Sequence, residues 1–181
     1  MLLNNPLDQR GQIHETDVHA PREFRQLLDR IFANNLALRA IASACNTRGG
    51  DADFAPQKAL DERADTFRTT DDSVTNAEMI LDFQNPVTFS VVTRFEFPPS
   101  GQGVESFVLD QWQDGKWVEL SAGTSIGNCR LLRLQPVTTN RVRLRILQSA
   151  AAPAIEEVQL LQQQRQIARL RCWVKSLNLA A

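Results

Sequence analysis

Val87-Thr88-Phe89-Ser90-Val91-Val92-Thr93-Arg94-Phe95-Glu96-Phe97 alternates in character from one residue to the next. Val87, Phe89, Val91, Phe95 and Phe97 fall on one face, and the other face is mostly polar. Successive side chains of an extended chain point to opposite sides, so this period of two predicts a half-buried antiparallel strand. Asn85-Pro86 before it and Pro98-Pro99-Ser100-Gly101 after it read as breaks.

Downstream, Val104–Trp112 and Trp117–Ala122 are joined by Gln113-Asp114-Gly115-Lys116. Asp-Gly between apolar-rich runs is a strong hairpin signal. Cys129–Leu134 predicts a further strand, with a turn at Val137-Thr138-Thr139-Asn140. In Arg141–Leu147, Val142, Leu144 and Ile146 alternate with Arg141, Arg143 and Arg145, and Ile155–Leu161 closes the series. Short strands at this density, with no helical pattern between them, indicate a sandwich or a barrel. The arginine stripe reads as the solvated side of a strand, because no aromatic platform interleaves it as nucleic-acid binding would require. Trp112 and Trp117 belong to the hairpin, where core packing is expected, and Trp173 lies in the tail.

At 181 residues the chain suits one medium domain with extensions. Twenty Lys and Arg against 21 Asp and Glu give a net charge of −1, which excludes a global electrostatic binder of nucleic acid. No stretch approaches the roughly 20 apolar residues of a membrane span. Met1-Leu2-Leu3-Asn4-Asn5-Pro6 lacks the basic and apolar regions of a signal peptide, and the localisation is left unassigned. Cys45, Cys129 and Cys172 are too widely spaced for a metal knuckle, and their odd number favours reduced thiols.

Upstream of the strands, Gln57-Lys58-Ala59-Leu60-Asp61-Glu62-Arg63-Ala64-Asp65-Thr66-Phe67-Arg68-Thr69 is a carboxylate-bearing loop. Asp61, Asp65, the Thr66 hydroxyl and free carbonyls supply the oxygens that a hard cation takes. The plain alternative is a solvated acidic turn. Ala59-Leu60-Asp61, Asp65-Thr66-Phe67 and Thr69 match the A-[LI]-D-G-[DN]-x-D-T-[FY]-W-x-T signature, and the loop thus resembles discoidin-like domains. These are the coagulation factor V/VIII C-type modules, or family 32 carbohydrate-binding fold. Glu62 stands where the signature has Gly, and Arg68 where it has Trp. Leu81-Asp82-Phe83, Trp112–Trp117, Arg133-Leu134-Gln135-Pro136, Arg141–Ile146 and Ile155-Glu156-Glu157-Val158 follow in the order of that domain.

The first 36 residues have another character. Phe24, Leu27, Leu28, Ile31 and Phe32 recur at three and four and predict an amphipathic helix, with Pro21 in its first turn. Leu2-Leu3-Asn4, Pro6, Asp8, Gly11, Ile13, His14-Glu15, Asp17-Val18 and Phe24 resemble the end of the catalytic barrel of family 29 α-L-fucosidases. There this segment leads into accessory β-domains; Asn5, Leu7 and Pro21 depart from it. His14-Glu15 and His19 are not a zinc motif, since histidines five apart do not share a helix face. At the other end, Ile167, Leu170, Val174 and Leu177 predict a basic amphipathic tail helix without counterpart in the discoidin-like domain. Its membrane binding is disfavoured by its shortness.

The expected fold is therefore mainly β. It is a discoidin-like antiparallel β-sandwich of jelly-roll type over residues 37–161, with a barrel-derived helix in 1–36 and a helical tail in 162–181. The resemblance implies a structural Ca²⁺ held by side chains of Asp61, Thr66 and Glu157 and by carbonyls of Lys58, Arg63 and Glu156. A side chain at position 62 and the charge of Arg68 are expected to weaken that site. The resemblance also implies a non-catalytic, carbohydrate-binding accessory module, without the two barrel carboxylates of a retaining glycosidase. A fucose- or galactose-containing glycan would be its ligand. The alternative is a truncated or vestigial protein-interaction domain without sugar binding. Self-association through residues 1–36 or the tail fits either reading, and no nucleic-acid partner is expected.

Overall fold

The computed structural model describes residues 10–13 and 15–162; the Leu-Leu-Asn-x-Pro segment, His14 and the expected tail helix lie outside them. One helix, α1 (Glu15–Phe32), stands in one compact unit, and the strands form a second, which starts at Asn35. Leu36 and Ala37 are buried in the second unit, so the sandwich starts slightly before residue 37. Within α1, Pro21 is not in the first turn: the helix starts six residues before it. A proline at that point leaves the Asp17 carbonyl without its usual intrahelical donor. Phe24 and Phe32 are exposed, and among the described residues no helix is long and apolar enough to cross a membrane.

The β unit has six antiparallel strands: β1 (Ile41–Ala44), β2 (Ala77–Glu96), β3 (Val104–Gln113), β4 (Lys116–Gly123), β5 (Arg130–Ser149) and β6 (Ile155–Leu161). Their order is β1-β2-β5-β3-β4, with β6 paired to β2. β2 and β5, at 20 residues each, are longer than expected from sequence: Asn85-Pro86 does not end β2, and β5 joins the expected strands Cys129–Leu134 and Arg141–Leu147 straight through Pro136 and the expected turn at residues 137–140. Both prolines sit at register shifts: residues 83–86 lie opposite Asn140 alone, and Ser90 opposite residues 134–136. A proline, which lacks a ladder donor, is tolerated at such bulges. The first halves of the long strands' pairing, Ala77–Asp82 with Arg141–Ile146, join β1 and β3. The second halves, Val87–Arg94 with Arg130–Thr139, join β6. The two layers of the sandwich close on one core that includes Met79, Leu81, Leu109 and Leu144 from one and Phe89, Val92, Val158 and Leu160 from the other.

The expected hairpin forms between β3 and β4. Asp114 and Gly115 both have positive φ, at 51° and 79°, as the tight turn of a twisted two-residue loop requires. Gly123 at the end of β4 is fixed by packing, since a Cβ there would lie 2.5 Å from Cζ of buried Phe107. The Phe107 ring also carries Arg94, whose guanidinium lies 3.9 Å from the ring centroid. Burial, aided by the charge of Arg130, pushes the Arg94 pKa down to about 10. Two residues on, the buried Glu96 carboxylate accepts from the amides of Gly103 (2.8 Å), Val104 (2.9 Å) and Gly127 (2.6 Å). One carboxylate thus pins the loops at both ends of the β3-β4 hairpin.

Candidate functional site

The loop after the turn Pro56–Ala59 curls around the Asp61 carboxylate. The Thr66 hydroxyl lies 2.7 and 2.9 Å from its two oxygens, and the Arg63 amide donates to Oδ1 at 3.2 Å. Thr66 Oγ1 is also 3.2 Å from the Arg63 carbonyl, whose oxygen receives the Thr66 amide at 3.4 Å. Three expected oxygen donors, on Asp61, Arg63 and Thr66, therefore converge. The Arg63 guanidinium turns outward to Asp65, at 3.0 and 2.8 Å. Lys58 occupies the preceding turn, one residue short of buried Ala59 and Leu60.

β6 brings Glu157 to the same loop. Its Oε2 accepts the Glu62 amide at 3.0 Å, and its Oε1 accepts Asn35 Nδ2 at 3.4 Å. Glu157 is only 5% exposed, and burial, reinforced by the charges of Asp61 and Glu62, raises its pKa to about 8. Burial also raises that of neighbouring Glu156. Between loop and strand lies a cleft of about 180 Å³, walled by Glu62, Arg63, Phe95, Glu156, Glu157 and Gln159. Among the described residues no three His, Cys, Asp or Glu side chains gather as a metal cluster. The expected set has only two side-chain carboxylates, so main-chain oxygens would have to supply the rest of any shell.

Glu62, at the Gly position of the signature, has φ of 57°. The loop keeps the left-handed turn that a glycine would adopt freely. Arg68 is 1% exposed; its guanidinium donates to the Asn46 carbonyl at 3.0 Å, and burial lowers its pKa. The arginine has taken an interior position, and its backbone pairs reciprocally with Ile155 at 2.9 Å. Asn35 was missed in sequence. It donates to Glu62 and Glu157 and accepts from the Leu160 and Ala37 amides, so it ties β6 to the loop. Its only local signal is an asparagine before a short helical turn, which it caps.

Trp112 and Trp117 are not in the core. They pair across the hairpin as half-exposed rings, edge to face at 5.1 Å, on the outer side of the sheet. Arg141 lies 5.4 Å from each ring centroid, and Arg143 lies 4.4 Å from that of Trp117. Aromatic rings do interleave the arginine stripe. They arrive from β3 and β4 through pairing that local sequence does not show. Arg141 pairs with Asp82 (2.5 Å), and Arg143 with Glu78 (3.1 Å) and Asp110 (2.9 Å). Arg145 grips Asp110 with two nitrogens, at 2.7 and 3.1 Å.

The fold and this surface define an antiparallel β-sandwich whose architecture also occurs in a carbohydrate-binding module. That module is chitosan-binding module 1 of a chitosanase/glucanase from Paenibacillus sp. IK-5. It superposes with a TM-score of 0.62 at 17% identity, over 70% of this chain and 97% of the module, a likeness of fold alone. In sequence the chain is homologous to α-L-fucosidases. Alpha-L-fucosidase 1 of Arabidopsis thaliana is 33% identical over 143 residues, 77% of this chain and 28% of the plant protein. The crystal structure of an inferred α-L-fucosidase of Bacteroides thetaiotaomicron matches with a TM-score of 0.85 at 30% identity, covering 91% of this chain and 36% of that one. The chain spans less than a third of the curated relatives it matches. No family model matches it.

Proposed function

We propose that the chain is a non-catalytic accessory module of an α-L-fucosidase-like glycosidase, of discoidin-like type, that binds a fucose- or galactose-containing glycan and holds a structural Ca²⁺. The observation that carries this reading is the extent of the similarity. The chain aligns with 28% of a fucosidase, and the described residues include strands and one α-helix but no barrel. Hydrolysis with retention needs two carboxylates about 5 Å apart across the scissile bond, which the fucosidases carry on their barrel.

The loop chemistry fits the cation. Asp61, Thr66 and the Arg63 carbonyl already face one another, and buried Glu157 has no cationic partner among its hydrogen-bond donors. Hard oxygen donors with two carboxylates suit Ca²⁺ over Zn²⁺. Carbonyls of Lys58 and Glu156 would complete the set. Ca²⁺ at these residues would supply fixed positive charge. Held there, it would offset the buried Glu157 carboxylate and would tie β6 to the loop. Two assays test the reading: binding of fucosylated and galactosylated glycans on an array, and turnover of an aryl α-L-fucoside. Glycan binding without turnover is expected; turnover above a matched blank would overturn the non-catalytic assignment.

A second reading is favoured by Phe24 and Phe32, which lie exposed on α1. Such a helix suits protein contact, and a protein-interaction domain without sugar binding would self-associate and leave the array blank.

A further inference from the structure

We propose that the outer face of the β2-β5-β3-β4 sheet is a binding platform for a neutral oligosaccharide, centred on Trp112, Trp117 and Arg141. This rests on the glycan-binding reading above and places the contact on a rigid sheet face, away from the acidic loop.

Four observations carry it. First, the two indoles are half-exposed and adjacent, a large amphipathic surface on which the C–H face of a pyranose can stack. Second, the polar groups around them are held in advance. Asp110 is 2% exposed and grips Arg143 and Arg145, while Arg141 is fixed by Asp82 and both rings. Side chains already ordered lose little entropy on binding. Third, guanidinium forks offer donors and carboxylates offer acceptors along one row, the pairing that vicinal hydroxyls need. Fourth, the charge is nearly balanced. Arg141, Arg143 and Arg145 meet Glu78, Asp82, Asp110 and Glu119, so the face carries no positive excess. A nucleic acid would need that excess to displace counterions, and an acidic glycan would be repelled. A neutral polyhydroxylated chain fits the surface.

The test titrates the purified full chain with short neutral oligosaccharides ending in fucose or galactose, read by tryptophan fluorescence and by calorimetry. Trp117→Ala should weaken binding about tenfold, the loss of one stacking contact. Arg141→Lys keeps the charge but removes the planar fork, and should weaken binding severalfold even if Trp117→Ala fails to fold. Parent binding left unchanged in Arg141→Lys and in every folded Trp117→Ala sample would overturn the platform while leaving the module a glycan binder. No binding by the parent would sink both readings. Tighter, salt-sensitive binding of a single-stranded oligonucleotide would reject the ligand class.

Discussion

Asp110 on the outer sheet face and Glu157 beside the acidic loop are both carboxylates withdrawn from water, and they answer that burial in opposite ways. Burial alone would raise Asp110, but hydrogen bonds from Arg145 and Arg143, with their charges, outweigh it and hold the carboxyl below its ordinary range. Glu157 has an amide and an asparagine for donors, two acidic neighbours, and a pKa of about 8. The first region is electrostatically complete within the chain. The second is complete only when something positive enters it, either a proton or a cation. A buried charge is stable only with a partner, and the two regions differ in whether the chain itself provides one.

The largest expected effect breaks the complete region. Asp110→Ala leaves two guanidinia facing a vacated buried acceptor and should cost about 3 kcal/mol in denaturant unfolding. A loss under about 0.5 kcal/mol would show that the ladder does not hold the sheet. Next comes the incomplete region: Ca²⁺ at about a hundred times its dissociation constant should stabilise the parent by about 2.7 kcal/mol over chelator. Asp61→Ala should gain nothing, and identical parent melts in the two buffers would mean that the loop takes no metal.

The third prediction is a pH dependence in chelator. A carboxyl whose folded pKa lies above its unfolded value binds its proton more tightly when folded. That contribution is whole below about pH 4.5 and is lost as pH climbs through about 8. The melting temperature should accordingly fall from about pH 5 to about pH 8, and Glu157→Gln should flatten the slope. A parent that melts higher at the alkaline end would reverse the sign and refute the account. Smallest is Glu62→Gly, which relieves the left-handed residue and should add about 1 kcal/mol, less the loss of the Asn35 contact.

What was legible in the sequence was local. The alternation at Val87–Phe97 and Arg141–Leu147 placed strands, and Asp114-Gly115 placed a hairpin, because backbone geometry is written in neighbouring residues. The acidic loop was legible as an oxygen-rich turn for the same reason. What was not legible depends on pairing between distant segments. Glu62 meets Glu157 across 95 residues, and Asp110 meets Arg143 across 33. Trp112 and Trp117 read as core because apolar surface is the stronger prior, yet register turned them outward beside Arg141. Pro86 and Pro136 read as strand ends because a bulge that spares a proline its donor is set by the partner strand.

β2 and β5 run 20 residues each and serve in both layers of the sandwich. Neither layer can therefore peel away while the other stays intact, since opening one drags on hydrogen bonds of the other. Amide exchange should report a single cooperative unit, with protection in β1 and β4 lost first because each lies at an edge. The arrangement also defers closure during folding. β6 finds β2 only after about 60 to 70 residues have been made, so assembly should be slow and governed by chain length between partners. A ligand on either face of such a sandwich would be felt by the whole of it.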